Sequence, residues 1–312
     1  MTFSSYSPSF SKKLASYLPE VITNNSNFEL AVASNLEELE ELSSLVVCKK
    51  RVERLGLDLE PQNLSERLLD LGAGQVLIAG ARYRRLNKDF PFIAVEANFS
   101  IQHEMLKELS TLLKHEFRTI APKGFTFNQA PVEISDCEKW THVLWGKTDF
   151  KVEPSLDYRY HFPSTFAHYQ EYQSQYQAHL DSHLYLKNLL GIESEEDLQT
   201  AASQGLLLEI LDKTGNFQGL IAGRDSALFG LDALYIFEIF LSQSVQGKKL
   251  APSFQQHFLG SLQSRFPNVW GNIADENLPS LNTARRCGRK IVQTEFFYNF
   301  QGFLKSRPNQ SV

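Results

Sequence analysis

The sequence is sparing with the residues that would place it in several large classes. Three of its 312 residues are cysteine, Cys48, Cys137 and Cys287, with no CxxC pair among them. That excludes a disulfide framework and a four-cysteine zinc site, and suits a reducing compartment. Positive charge is not in excess: 31 Lys and Arg stand against 36 Asp and Glu, a net of -5, so no general basic field exists for nucleic acid. No apolar run approaches the ~20 residues that span a bilayer, and the most apolar stretch, 228–241, is broken by Gly230, Asp232 and Glu238. The first residues lack the charged and apolar regions of a secretory leader. These absences predict a cytoplasmic protein that engages neither nucleic acid nor membrane. What is present, 42% hydrophobic and 12% aromatic residues, suffices for a sizeable core, and the length predicts two domains of roughly 150 residues.

The patterns predict α/β halves with mixed sheets. Residues 1–27, rich in Ser and Asn with Pro8 and Pro19, read as a flexible arm with one short helical piece. An N-terminal α/β domain over 28–150 opens with strand-like alternation at 28–33, then a leucine stripe at Leu36, Leu39, Leu42 and Leu45 that predicts a helix. A helix is expected at 64–71, strands at 75–83 and 92–98, a helix at 103–117, and strands at 124–128 and 141–145. A polar linker at 151–157 leads to a second domain at 158–303, and 304–312 reads as a tail. In that domain a long helix over 166–190, carrying Tyr169, Tyr172 and Tyr176, precedes a helix opened by the acidic segment 193–198. Strands follow at 206–211, 217–223 and 234–241, then a helix at 252–266, a strand at 269–274, a helix at 279–287 and a strand at 292–298. The segment Asp212-Lys213-Thr214-Gly215-Asn216 has hairpin chemistry. Interleaved helices and strands mark a mixed-sheet α/β layout.

The junction between the strand at 234–241 and the helix at 252–266 carries the strongest chemical signal. Gln246-Gly247-Lys248-Lys249-Leu250-Ala251 is a small, glycine-bearing turn opening a helix. Such a turn leaves several N–H groups unpaired at the positive end of a helix dipole, which suits a pyrophosphate. Lys248 and Lys249 add charge, and Pro252 fits a first-turn position that needs no N–H. A match this short also describes an ordinary strand-to-helix turn. About thirty residues on, the strand at 270–274 ends in Asp275-Glu276-Asn277-Leu278-Pro279-Ser280, and a helix then closes at Gly288.

Together these segments resemble the GCN5-related N-acetyltransferase (GNAT) superfamily, over about 158–303. The family's phosphate loop reads Gln/Arg-x-x-Gly-x-Gly/Ala. Gln246, Lys249 and Ala251 take the three signature places, so lysine replaces the central glycine while Gly247 is kept. Asn277, Ser280 and Gly288 match the later segment. The resemblance implies a GNAT-like fold in which two parallel strands splay and an acyl-CoA arm pairs against the exposed edge. By position the backbone of Ile239, Phe240 and Leu241 would meet pantetheine, residues 246–251 the pyrophosphate, and Asn277, with Ser280 beside it, the arm. It also implies an acetyl-CoA-dependent N-acetyltransferase acting on a small-molecule or peptide amine by direct attack, with Glu238 as candidate base. Glu238 reads equally as a paired strand carboxylate. The family's usual tyrosine acid falls on Ala284, which leaves Tyr298 and Cys287 as substitutes. A lysine at 249 is disfavoured if that position needs φ > 0. Both departures leave open a non-catalytic CoA-binding or interaction module.

Other patterns point elsewhere. Asp70-Leu71-Gly72-Ala73-Gly74 is similar to the glycine-rich turn of S-adenosylmethionine methyltransferases, yet follows an expected helix rather than a strand, so helix cap plus turn is the better account. His179 and His183 sit four apart on the long helix without a third ligand, so a polar helix face is preferred to zinc and no metal is expected. The first half parallels the second in element order without a phosphate loop. It is read as a degenerate GNAT-like copy in tandem that frames the acceptor site or a homodimer, with an unrelated α/β domain as the alternative.

Overall fold

The structure, a computed structural model, describes residues 2–151, 157–182 and 190–302. Most of the expected linker, the tail and His183 lie outside the described residues. The chain divides into two compact units, one formed by Met1–His142 with Val292–Val312 and one by Val143–Ile291.

The first unit begins with helices α1 (Ser7–Ala15), α2 (Glu20–Thr23), α3 (Phe28–Glu41) and α4 (Leu45–Leu55). Strands β1 (Arg67–Gly72), β2 (Gln75–Tyr83) and β3 (Pro91–Ala97) follow, then α5 (Leu106–Glu116), β4 (Gly124–Gln129) and β5 (Cys137–Lys147). The chain returns as β11 (Lys290–Asn299), and the strand order is β1-β2-β3-β4-β11-β5. β1 to β3 form an antiparallel meander, β3 and β4 run parallel, and β11 pairs antiparallel with β4.

Three expectations are corrected here. Residues 1–27 are no flexible arm, because Phe3, Phe10, Leu18 and Ile22 are buried by helices that the Ser-rich text disguises. The alternation at 28–33 belongs to α3: Phe28, Val32 and Leu36, spaced by four, are buried, while Leu30 is 72% exposed. The stretch 64–71 is largely strand, since Leu69 and Leu71 reach the core at a period of two. Asp70 to Gly74 therefore turns a hairpin. Gly72, Ala73 and Gly74 all have positive φ, and Asp70 Oδ1 accepts from the Gly72 N–H. This joins strand to antiparallel strand rather than strand to helix, so the methyltransferase likeness has no structural counterpart.

The second unit contains β6 (Tyr158–His161), which sequence patterning did not foresee, then α6 (Tyr169–Ser182) and α7 (Glu195–Ser203). β7 (Leu207–Asp212), β8 (Phe217–Asp225) and β9 (Leu234–Leu241) are followed by α8 (Ala251–Leu262), β10 (Asn268–Ala274) and α9 (Leu278–Arg286). The strand order is β10-β9-β8-β7-β6, antiparallel except between β9 and β10. The β7–β8 hairpin is fastened by Asp212, whose carboxylate accepts from the N–H groups of Thr214 and Asn216 and from the Thr214 hydroxyl. These bonds hold the Asp212 carboxyl well below the usual carboxylate range. Tyr172, Tyr176, Phe217, Phe240, Phe254 and Phe258 anchor one aromatic core.

The meander, helix and parallel strand of the second unit repeat those of the first. Beyond the Val95–Phe127 pair of the first unit, however, the Lys13 ammonium donates to Asn128 O at 2.8 Å, and Asn128 Nδ2 donates to Glu96 at 3.1 Å. Gln129 takes the Ile101 N–H at 3.0 Å. These bonds engage Asn128, Ile101 and the Gln129 side chain within the unit.

Candidate functional site

The site follows from how β9 pairs on its two sides. Against β8 the register holds to Leu241, with one slip: Gly223 opposes Ile236 and Ala222 opposes Glu238, so Phe237 is an extra, bulged residue. Against β10 the pairing covers Leu234–Val269 and Tyr235–Trp270 and goes no further. Gly271 stands at the point of separation, where an added Cβ would lie 3.0 Å from Ile236 O. Beyond it the strands fork around a cavity of about 700 Å³ lined by residues 236–241 of β9. The backbone of Ile239, Phe240 and Leu241 lies along this stretch of β9, whose fork side pairs with no strand among the described residues.

The mouth of the cavity is the turn into α8. Gly247 and Lys249 both take the left-handed conformation, at φ 75° and 60°. Lysine keeps the shape that glycine would give, at a conformational cost of roughly 1–2 kcal/mol. The N–H groups of Gly247, Lys249, Leu250 and Ala251 find no backbone acceptor among the described residues. Gln246 steadies the turn by donating from Nε2 to Leu241 O at 2.7 Å. Gln246, Gly247, Lys249, Leu250 and Ala251 line the cavity, whereas Lys248 is exposed and does not. Asn277 and Ser280 line it from α9. Asn277 Oδ1 caps that helix by accepting from the Ser280 N–H at 3.3 Å.

Glu238 is buried in the cavity wall, and the Tyr172 hydroxyl donates to its Oε2 at 2.8 Å. That hydroxyl also accepts from the Glu193 N–H at 3.1 Å, which orients its proton toward Glu238. Burial pushes the Glu238 carboxyl up to about 8, partly offset by the Tyr172 bond, with the nearby Glu193 charge adding to the rise. Two carboxyls in one wall, one fully buried, make a proton acceptor poised near neutrality. The tyrosine stripe expected to be core or pocket wall is both: Tyr176 stacks on Phe240 at 5.2 Å between ring centroids and lines the cavity.

Neither Tyr298 nor Cys287 is among the residues that line the cavity. Tyr298 lies in β11 opposite Phe125, with ring centroids 5.5 Å apart, in the core of the first unit. The alternation of β11 commits its ring to that packing, which overturns Tyr298 as a catalytic residue. Cys287 is buried against Pro252 O, and burial pushes its thiol up to about 11. Ala284, at the family's tyrosine position, is itself buried under Leu144 and Leu281. His179 lines the cavity, and no group of metal-ligating side chains occurs among the described residues. Sequence reasoning missed Arg286 and Arg289, which also line the cavity. Arg286 had one textual signal, the basic end of the helix that closes at Gly288, and Arg289, beyond that glycine, had none.

No protein-family model matches the sequence, and no curated protein matches it. Among solved structures, the chain is similar to a GCN5-related N-acetyltransferase from Sphaerobacter thermophilus at 14% identity, covering 88% of this chain and 95% of that one, with a TM-score of 0.48. A GNAT-family acetyltransferase from Colwellia psychrerythraea is similar at 10% identity, with 72% and 85% covered and a TM-score of 0.47. A tandem GNAT protein from the clavulanic acid biosynthesis pathway is similar at 10% identity, with 73% and 81% covered and a TM-score of 0.41. At these scores none of the likenesses bears on residues or substrates.

Proposed function

We propose that the second unit binds acetyl-CoA and transfers the acetyl group to an amine. One observation carries the reading: the β9–β10 fork opens directly onto a turn in which the N–H groups of Gly247, Lys249, Leu250 and Ala251 find no backbone acceptor among the described residues and the left-handed positions are kept. A pyrophosphate suits that turn and the N-terminus of α8, and an amide-bearing arm suits the free edge of β9. The Asn277 amide, its oxygen engaged in capping, keeps its Nδ2 as a donor to that arm.

Glu238 then acts as base. It accepts the proton of the amine as nitrogen attacks the thioester carbonyl, and Tyr172 steadies the resulting charge distribution. Neither Tyr298 nor Cys287 can hand a proton to the departing thiolate, so solvent or the protonated Glu238 does so. In this reading the first unit is a degenerate copy that lacks the phosphate loop of the second. The chain acts away from the bilayer in this reading, and among the described residues no helix is long and apolar enough to cross one.

The test is calorimetric titration with acetyl-CoA beside S-adenosylmethionine, followed by thiol release with a panel of amines. Binding of acetyl-CoA with release of free CoA is the expected result. A second reading, an acyl-CoA-binding module without catalysis, is favoured because neither Tyr298 nor Cys287 is among the residues that line the cavity. Saturable binding with no thiol release from any amine would establish it instead.

A further inference from the structure

The fork holds a cation for which no described residue supplies a carboxylate partner. Arg289 follows Gly288, whose φ of 71° turns the chain out of α9. Two glycines make room for its side chain: an added Cβ at Gly146 would meet Arg289 Cγ at 2.9 Å, and one at Gly271 would meet Nη1 at 3.3 Å. Gly271 is the first residue beyond the last β9–β10 pair. The guanidinium therefore sits at the apex of the fork, 3% exposed, and lines the cavity. Nη2 donates to Gln255 Oε1 at 3.3 Å, an uncharged partner. Arg289 Nε and Gln255 Nε2 are both buried and have no hydrogen-bond partner. No carboxylate lies within ion-pair distance of Arg289 among the described residues. Of the acids in the cavity wall, Glu238 is engaged with Tyr172, and Glu193 forms no ion pair with Arg289.

Buried charges without partners are unstable unless a ligand completes them. A guanidinium with adjacent amide N–H donors has the planar donor set of a carboxylate receptor. We propose that this cavity selects an acyl-CoA whose acyl chain ends in a carboxylate, which Arg289, steadied by Gln255 behind it, receives at the apex of the fork. The proposal rests on the acyl-CoA reading above and narrows its donor from a plain acetyl group to a dicarboxylic one.

Length supports the placement. The five residue steps of the free β9 edge, 236–241, extend over roughly 17 Å. A pantetheine arm is about as long as four extended residues, roughly 14 Å. With the pyrophosphate at the turn 246–251, the thioester comes beside Glu238 and the atoms beyond it reach the apex. An amine acceptor has to meet the thioester on the Glu238 side and stops there, so the acyl chain alone continues to Arg289.

The experiment is titration of the full chain with three probes: free CoA, butyl-CoA and carboxypropyl-CoA. The last two are stable thioethers of equal chain length that differ in the terminal charge. Carboxypropyl-CoA is expected to bind at least tenfold more tightly than butyl-CoA. That ratio is expected to fall to about one in Arg289→Met and to be partly kept in Arg289→Lys, with folding of each variant checked by its melting transition. Equal affinity of the wild-type chain for the two thioethers overturns the proposal and leaves the CoA reading standing. No binding of any probe overturns the CoA reading itself. A preference that survives in Arg289→Met removes Arg289 from the role. Should neither variant fold, the wild-type ratio decides alone.

Discussion

Replacing Tyr172 by Phe tests the chemistry of the cavity at a single atom. The Tyr172 hydroxyl donates to Glu238 Oε2 at 2.8 Å and is itself buried, so Phe keeps the ring packing on Phe240 and removes the donor. A hydrogen bond to a charged acceptor contributes about 1.5–3 kcal/mol, and it favours the ionised carboxylate over the neutral acid. At 1.36 kcal/mol per unit, the Glu238 carboxyl, already held at about 8, moves up by roughly one to two units. Below both values the ionised fraction falls about tenfold for each unit of rise, so the rate at pH 7 falls roughly ten- to a hundredfold. Thiol release against an accepted amine, followed from pH 6 to 10, is the assay. Wild type is expected to rise with pH and level above about 8. The variant is expected to rise one to two units later and approach the wild-type plateau. A profile lowered by one factor at every pH, with its inflection unmoved, refutes the reasoning, because it marks damage to the pocket rather than a displaced proton affinity.

Glu238→Gln is expected to abolish the rise of rate with pH. It is also expected to alter stability: a carboxyl raised to about 8 binds more protons folded than unfolded between pH 4.5 and 8. Wild-type stability from this group is therefore greatest at acid pH and declines through that window, by up to roughly 5 kcal/mol. Chemical denaturation at pH 5 and 8 shows the decline in wild type and its loss in Gln. Gly247→Glu places a bulky anion at φ 75° in the turn and is expected to abolish acetyl-CoA binding; unchanged affinity in calorimetry removes the turn from the site. Lys249→Gly relieves a left-handed lysine and is expected to raise stability by about 1 kcal/mol in urea titrations, and a decrease would show that the lysine side chain supplies contacts.

How far the sequence could be read depended on whether a signal was local. The strands at 75–83 and 234–241, the Asp212 hairpin and the turn at 246–251 are set by alternation and turn chemistry within a few residues, and all stand in the structure. Phe28 to Ala33 misled because Phe28, Leu30 and Val32 alternate, although the partners that bury this helix select Phe28, Val32 and Leu36 instead. β6 was missed because its alternation, Tyr158 and Tyr160 inward against exposed Arg159 and His161, lasts only four residues and becomes a strand through pairing with β7. Within the site, the loop and Glu238 were legible from residue type and position. Arg289 was not, since its importance comes from Gly146 and Gly271, residues far apart in sequence that clear space for it.

The return of β11 to pair with β4 sets a clock on biosynthesis. Six consecutive pairs, from Thr294–Gln129 to Asn299–Gly124, complete a sheet that begins near the start of the chain. At ribosomal rates, roughly ten to thirty seconds separate the emergence of the two strands. Throughout that interval one edge of β4, with Phe125 and Phe127 on it, waits for its neighbour, an interval in which strand edges recruit foreign chains. The first unit to be made is thus the last to be finished, and its nascent form is where a need for chaperone protection is concentrated.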